Sequence, residues 1–109
     1  MYVNTGTTLY RYTIRNGGFH VAEGVVTEHG IRKKVIFSDG VKMVRCPRKT
    51  DIGKILNVGP TLWLYERNDE TAMRIFIGYE ECKLDQLRRL MDKKIATIKM
   101  LRSDLEETE

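Results

Sequence analysis

NDETAMRIFIGYEECKLDQLRRLMDKKIATIKMLRSDLEE, residues 68–107, decides the fold class. The stretch contains no Pro and a single Gly, Gly78, and its apolar residues recur every three or four positions: Met73, Ile77, Leu84, Leu87, Met91, Ile95, Ile98, Leu101 and Leu105. That is the period of an amphipathic helix. Written as heptads, Ile77, Leu84, Met91, Ile98 and Leu105 form an unbroken seam, while the complementary position is weaker, with Met73, Glu80, Leu87, Lys94 and Leu101. A helix of roughly 38 residues is about 57 Å long at 1.5 Å per residue. The preceding residues, 1–67, make a globule only about 25–30 Å across. The seam is therefore expected to outrun the body and to need a partner. Leu84, Leu87, Met91, Ile95, Ile98, Leu101 and Leu105 are the candidate oligomer interface, with a homodimer the simplest product. Asn68 or Asp69 is expected to cap the helix, with Asp69 and Glu70 favourable at its positive end.

Upstream the period changes from helical to alternating. Thr8 to Arg15 places Tyr10, Tyr12 and Ile14 on one side and Arg11, Thr13 and Arg15 on the other, as a half-buried strand does. Asn16-Gly17 is a two-residue hairpin signal, because a type I′ turn needs positive φ at both positions. Ile14 should then face Phe19 and Tyr12 face Val21, and Gly24 should mark a bulge or a sharp bend. Glu28-His29-Gly30 reads as a turn, Ile31 to Ser38 as a third strand, Asp39-Gly40 as a second tight hairpin turn, and Val41 to Cys46 as a fourth strand ended by Pro47. Arg48 to Asn57 reads as a linker with one helical turn capped by Thr50 or Asp51, and Val58-Gly59-Pro60 as a further turn. Thr61 to Glu66, apolar on both sides, is the fifth strand. The expected class is α+β: a small five-stranded SH3-like β-barrel over residues 1–67, or an antiparallel meander, followed by one coiled-coil-like helix over 68–109.

Composition narrows the functional classes. Of 109 residues, 41% are hydrophobic and 31% charged, which excludes a disordered chain. No apolar run approaches the roughly 18 residues that span a bilayer. The N-terminus lacks the basic and apolar regions of a signal peptide, so a cytoplasmic protein is expected. Cys46 and Cys82 have neither redox nor zinc spacing and read as two reduced, mostly buried thiols. No nucleophile elbow, phosphate loop or ligand cluster occurs, so no enzyme, metal or cofactor is expected. The net charge of +4 is uneven: Lys and Arg outnumber Asp and Glu 11 to 5 over residues 1–67, but number 8 to 10 over 68–109. A basic body fits an acidic protein surface or a nucleic acid. Pairing across Asp39-Gly40 puts Val35, Phe37, Val44 and Cys46 on a core face. The non-core side is expected to collect Arg11, Arg15, Arg32, Lys34 and Arg45 around Ile36 and Met43, which together are the candidate partner-binding residues.

The segments Asp51-Ile52-Gly53-Lys54-Ile55-Leu56 and Leu64-Tyr65-Glu66-Arg67-Asn68-Asp69-Glu70-Thr71-Ala72, followed by charged heptads, resemble small accessory proteins encoded by phages and prophages of Gram-positive and gut bacteria. The resemblance spans about half the chain and carries over no functional residue. It implies a non-enzymatic phage protein that inhibits a host defence protein such as a CRISPR effector, in the manner of anti-CRISPR proteins. The alternative is a nucleic-acid-binding SH3-like module using its basic face.

Overall fold

A computed structural model describes residues 1–38, 43–57 and 59–108. The protein is α+β: one antiparallel open sheet of six strands and one long C-terminal helix. The strands are β1 (Thr8–Arg15), β2 (Gly18–His29), β3 (Arg32–Phe37), β4 (Met43–Arg45), β5 (Ile55–Leu56) and β6 (Thr61–Leu64), in the order β4-β3-β2-β1-β6-β5. A 3-10 turn covers Lys49–Asp51, and helix α1 runs Asp69–Thr108 without a break at Gly78. The five expected strands are present, and the two-residue β5, paired to β6 through Ile55↔Leu62 and Leu56↔Thr61, makes the sixth. The chain divides into two compact units, Met1–Phe76 and Ile77–Glu109.

The first hairpin forms as its turn dictates. Asn16 and Gly17 both have positive φ, 53° and 72°, and Ile14 pairs with Phe19 and Tyr12 with Val21. At the next turn, β2 continues to His29, which pairs with Arg32 across Gly30-Ile31. The Asp39-Gly40 turn, with Val41, lies outside the described residues, as does Val58.

Gly24 is not a bulge. The register of β2 runs uninterrupted through it against both neighbours, Leu9↔Gly24 on one side and Gly24↔Phe37 on the other. Its role is steric: a Cβ there would lie 2.5 Å from Val35 Cγ1 and 3.0 Å from Phe37 Cδ1. The strand needs Gly because two core side chains fold over its backbone at that point.

The sheet carries a hydrophobic cluster on each face. Val3, Leu9, Val26, Val35, Phe37, Cys46 and Trp63 form one. Tyr12, Leu62, Ala72 and Phe76 form the other, with Ile14, Phe19 and Val21 at its margin. Phe19 stacks on Tyr12 at 5.5 Å and meets Phe76 edge-on at 6.0 Å. This is why β6 is apolar on alternate sides: Leu62 enters one cluster and Trp63 the other.

The helix starts where two polar groups fix it. Asn68 Oδ1 accepts the Thr71 backbone N–H at 3.0 Å, an N-cap bond. The buried Tyr12 hydroxyl accepts the Asn68 N–H at 2.9 Å and donates to Asp69 Oδ1 at 2.9 Å. The Arg67 guanidinium, beside Asp69 at 3.3 Å, holds its carboxyl below the usual carboxylate range, and the Tyr12 hydroxyl adds to this. Burial, and then the bond to Asp69, push the Tyr12 phenol up.

Candidate anion-binding surface

The register divides the expected basic face in two. Arg11 pairs with Ala22 and Trp63, and Arg15 with Gly18, so both lie on the face of the Trp63 cluster. Lys34 pairs with Arg45 and Ile36 with Met43, one residue out of phase with the core pair Val35↔Val44. Val25↔Ile36, Thr8↔Val25 and His29↔Arg32 carry this row, with Arg32, onto the face of Tyr10 and Tyr12. Arg11 and Arg15 therefore do not share a face with Arg32, Lys34, Ile36, Met43 and Arg45. The alternation in β1 and that in β3 each identify a true core side, but these sides belong to opposite faces of a sheet that has a core on both.

The two groups nevertheless communicate around the sheet's edges. A cleft of about 770 Å³ has Val44, Arg45 and Cys46 on one side and Ile55, Leu56, Thr61 and Trp63 on the other, with Arg11 and Arg48 in its walls. It lies between the edge strand β4 and the β5–β6 edge, so the sheet curls until its two margins face each other. A second hollow, with Ile31, Arg32, Lys33 and Lys34, shares Tyr2 and Arg45 with the cleft. A smaller one, with Thr13, Arg15 and Pro60, shares Arg11 and Thr61 with it. The result is a continuous band of seven cations: Arg32, Lys33, Lys34, Arg45, Arg48, Arg11 and Arg15.

Local chemistry fixes several of these. Arg11 is half-buried, its guanidinium stacked 4.3 Å from the Phe37 ring centroid, an arrangement favoured by the ring quadrupole. Arg48 lies 6.0 Å over the Tyr2 ring, and its backbone N–H donates to Asp51 Oδ2 at 3.3 Å. Tyr2 is held there by a bridge to Arg48, with Val3 N–H donating to the Pro47 carbonyl at 3.3 Å. Lys33 donates to the Val3 carbonyl at 3.2 Å. Among the described residues, Asp51 is the one carboxylate lining the three hollows. Three ion pairs among the described residues, Arg67–Asp69, Arg74–Glu70 and Arg89–Asp85, lie outside the band. Cys46 lies in the cleft but is buried, its thiol donating to the Pro47 carbonyl at 3.4 Å. Burial pushes that thiol up, away from nucleophilic use.

On the opposite face, Val25, Ile36 and Met43 stand side by side on three adjacent strands, exposed by 44, 38 and 48%. Lys34 and Arg45 form the next row and Arg32 lies beyond it. This is an apolar centre with a cationic rim.

The seven candidate interface residues of the helix, Leu84, Leu87, Met91, Ile95, Ile98, Leu101 and Leu105, are all exposed, and no described residue beyond Phe76 is buried. Cys82, expected to be buried, is an exposed free thiol on this helix. Among the described residues no group of His, Cys, Asp and Glu could hold a metal ion, and no helix is long and apolar enough to cross a membrane.

Sequence reasoning missed Val25, Lys33 and Tyr2 as members of these surfaces. Val25 was recoverable once β2 was registered against β3. Tyr2 and Arg48 come together only through a bridge between the N-terminal segment and the residues after β4, and the sequence carries no local signal for it.

No family model matches the chain, and neither a curated protein nor a solved structure matches it.

Proposed function

We propose that the sheet unit is a non-enzymatic binding module for a polyanion, and that its partner is a nucleic acid bound along the cationic band. The observation that supports this is the run of seven cations through three adjoining hollows lined, among the described residues, by a single carboxylate. Arginines in a concave site contact phosphates through paired N–H donors and release counterions on binding. Tyr2, half exposed at the junction of two hollows, offers a ring against which a base can stack. The finer reading of the fold is an SH3-like barrel: a curled antiparallel sheet with a 3-10 turn before the strand that returns to pair with β1.

The test is fluorescence anisotropy with a labelled single-stranded oligonucleotide at several salt concentrations. The logarithm of the association constant should fall linearly with the logarithm of salt, with a slope of about −0.7 for each phosphate neutralised. Arg45→Glu with Arg48→Glu should abolish binding. Affinity indifferent to salt and to these substitutions would sink the proposal.

A second reading is supported by the exposed row Val25, Ile36 and Met43 with its rim of Arg32, Lys34 and Arg45. A central apolar cluster ringed by charges resembles a protein-binding hot spot. It fits an inhibitor docking on an acidic host protein in the bacterial cytoplasm, the role implied by the resemblance to phage accessory and anti-CRISPR proteins. Val25→Asp with Met43→Asp should remove such a partner from pull-downs from a bacterial lysate while leaving oligonucleotide binding intact.

A further inference from the structure

The helix beyond Phe76 presents an exposed apolar stripe. Ile77, Leu84, Leu87, Met91, Ile95, Ile98, Leu101 and Leu105 are each between 44 and 62% exposed. Side chains of this kind at half exposure leave on the order of 800 Å² of apolar surface along the stripe. That matches the roughly 800 Å² a specific interface takes from each partner. Long helices also draw most of their stability from packing such a face. From the heptad charge pattern we infer that the occupant is a second copy of this chain, packed antiparallel, with the two-fold axis between Asp92 and Lys93. This inference is independent of the anion-binding reading.

The charges flanking the seam select that arrangement. In an antiparallel pair, the two kinds of seam position face each other, and each flanking position faces its own kind on the partner helix. With the axis between Asp92 and Lys93, Leu84 meets Leu101 of the second copy and Leu87 meets its Ile98. Glu81 then faces Arg102 and Lys83 faces Asp104, so symmetry gives four attractive pairs and no repulsive one. A parallel in-register pair instead sets Lys83 beside Arg88 and puts Lys94 against Lys94 across the seam. Sliding the antiparallel pair by one heptad either way brings Arg88 against Arg88 or against Arg102. Flanking charges are what set the orientation and partner choice of helix pairs. In the selected register Lys94 falls opposite Met91, and its methylene stem can lie along the seam with the ammonium in water. Lys83, whose ammonium lies 4.6 Å over the Tyr79 ring, is held on the helix surface where Asp104 of the second copy would reach it.

Two measurements on the full chain test this. Sedimentation equilibrium at micromolar concentration should give twice the 12.7 kDa chain mass. Glu81→Arg should raise the dissociation constant about tenfold, two attractive pairs having become repulsive, and adding Arg102→Glu should restore it. Spin labels on Thr108→Cys in a Cys82→Ser background should lie about 45 Å apart or more, because Thr108 falls opposite Ile77 of the second copy at 1.5 Å per residue. A monomer at every concentration, a label separation below about 20 Å as in a parallel pair, or a double variant as weak as the single one would each overturn the inference.

Discussion

The Tyr12 hydroxyl lies 2.9 Å from Asp69 Oδ1, joining the middle of the first strand to the first residue of the helix. Tyr12 is fully buried, and the same oxygen accepts the Asn68 N–H. One hydroxyl thus satisfies a backbone donor at the helix start and a carboxylate. Tyr12→Phe keeps the ring stack on Phe19 but leaves both groups without it. The expected loss is about 1–3 kcal/mol of unfolding free energy, the cost of leaving a buried polar group without its partner. Urea denaturation, with an unchanged m-value, measures it.

Asp69 gives the fold an acid limit. Its carboxyl titrates below its ordinary value because of Arg67 and then Tyr12. A folded-state value below the unfolded one means that the stabilisation is present above about pH 4 and is lost as pH falls through the folded value. The urea midpoint should therefore drop as the pH falls below about 4. In Asp69→Asn that part of the drop should disappear, and a titration identical to wild type would count against the linkage.

Gly24→Ala is expected to be the most damaging single-methyl change in the sheet. The added carbon would meet Val35 Cγ1 at 2.5 Å and the Ile36 carbonyl at 3.1 Å. Overpacking of this kind costs about 1–3 kcal/mol. Gly78→Ala, where nothing lies within 4 Å of the added carbon, should instead stabilise the helix by up to about 1 kcal/mol. Thermal unfolding of the two variants should move in opposite directions.

Arg11 and Arg15 separate structure from binding. Arg11 is half-buried against Phe37 and lines the cleft, whereas Arg15 is exposed at the hairpin end. Arg15→Ala should lower the salt slope of oligonucleotide binding by about 0.7 and leave stability within about 0.5 kcal/mol. Arg11→Ala should lower both affinity and melting temperature. Equal stability of the two variants would show that the stack on Phe37 contributes nothing.

Much of the fold was legible because the deciding signals are local. The helical period over residues 68–107 locates α1 to within a residue at each end, and Asn16-Gly17 fixes its turn and the pairing of Tyr12 with Val21. What was not legible is relational. Alternation within β1 or β3 gives the parity of that strand alone. Placing Arg11 relative to Lys34 needs the register of both against β2, and Gly24 and Val25, where that strand changes partners, carry no polar–apolar contrast. β5, at two residues, is too short to show any alternation. Gly24 reads as a bulge because a glycine in a strand has several causes, and the contact with Val35 and Phe37 is visible only in three dimensions.

The two clusters share one wall. β1 and β6 have Leu9 and Trp63 on one side and Tyr12 and Leu62 on the other. Exposing their backbone amides to solvent by opening either core leaves the other core still closed over them. The amides of Tyr10 to Thr13, hydrogen-bonded between β2 and β6, should therefore exchange with deuterium only through global unfolding, whereas those of β4, at the sheet's edge, should exchange through local opening.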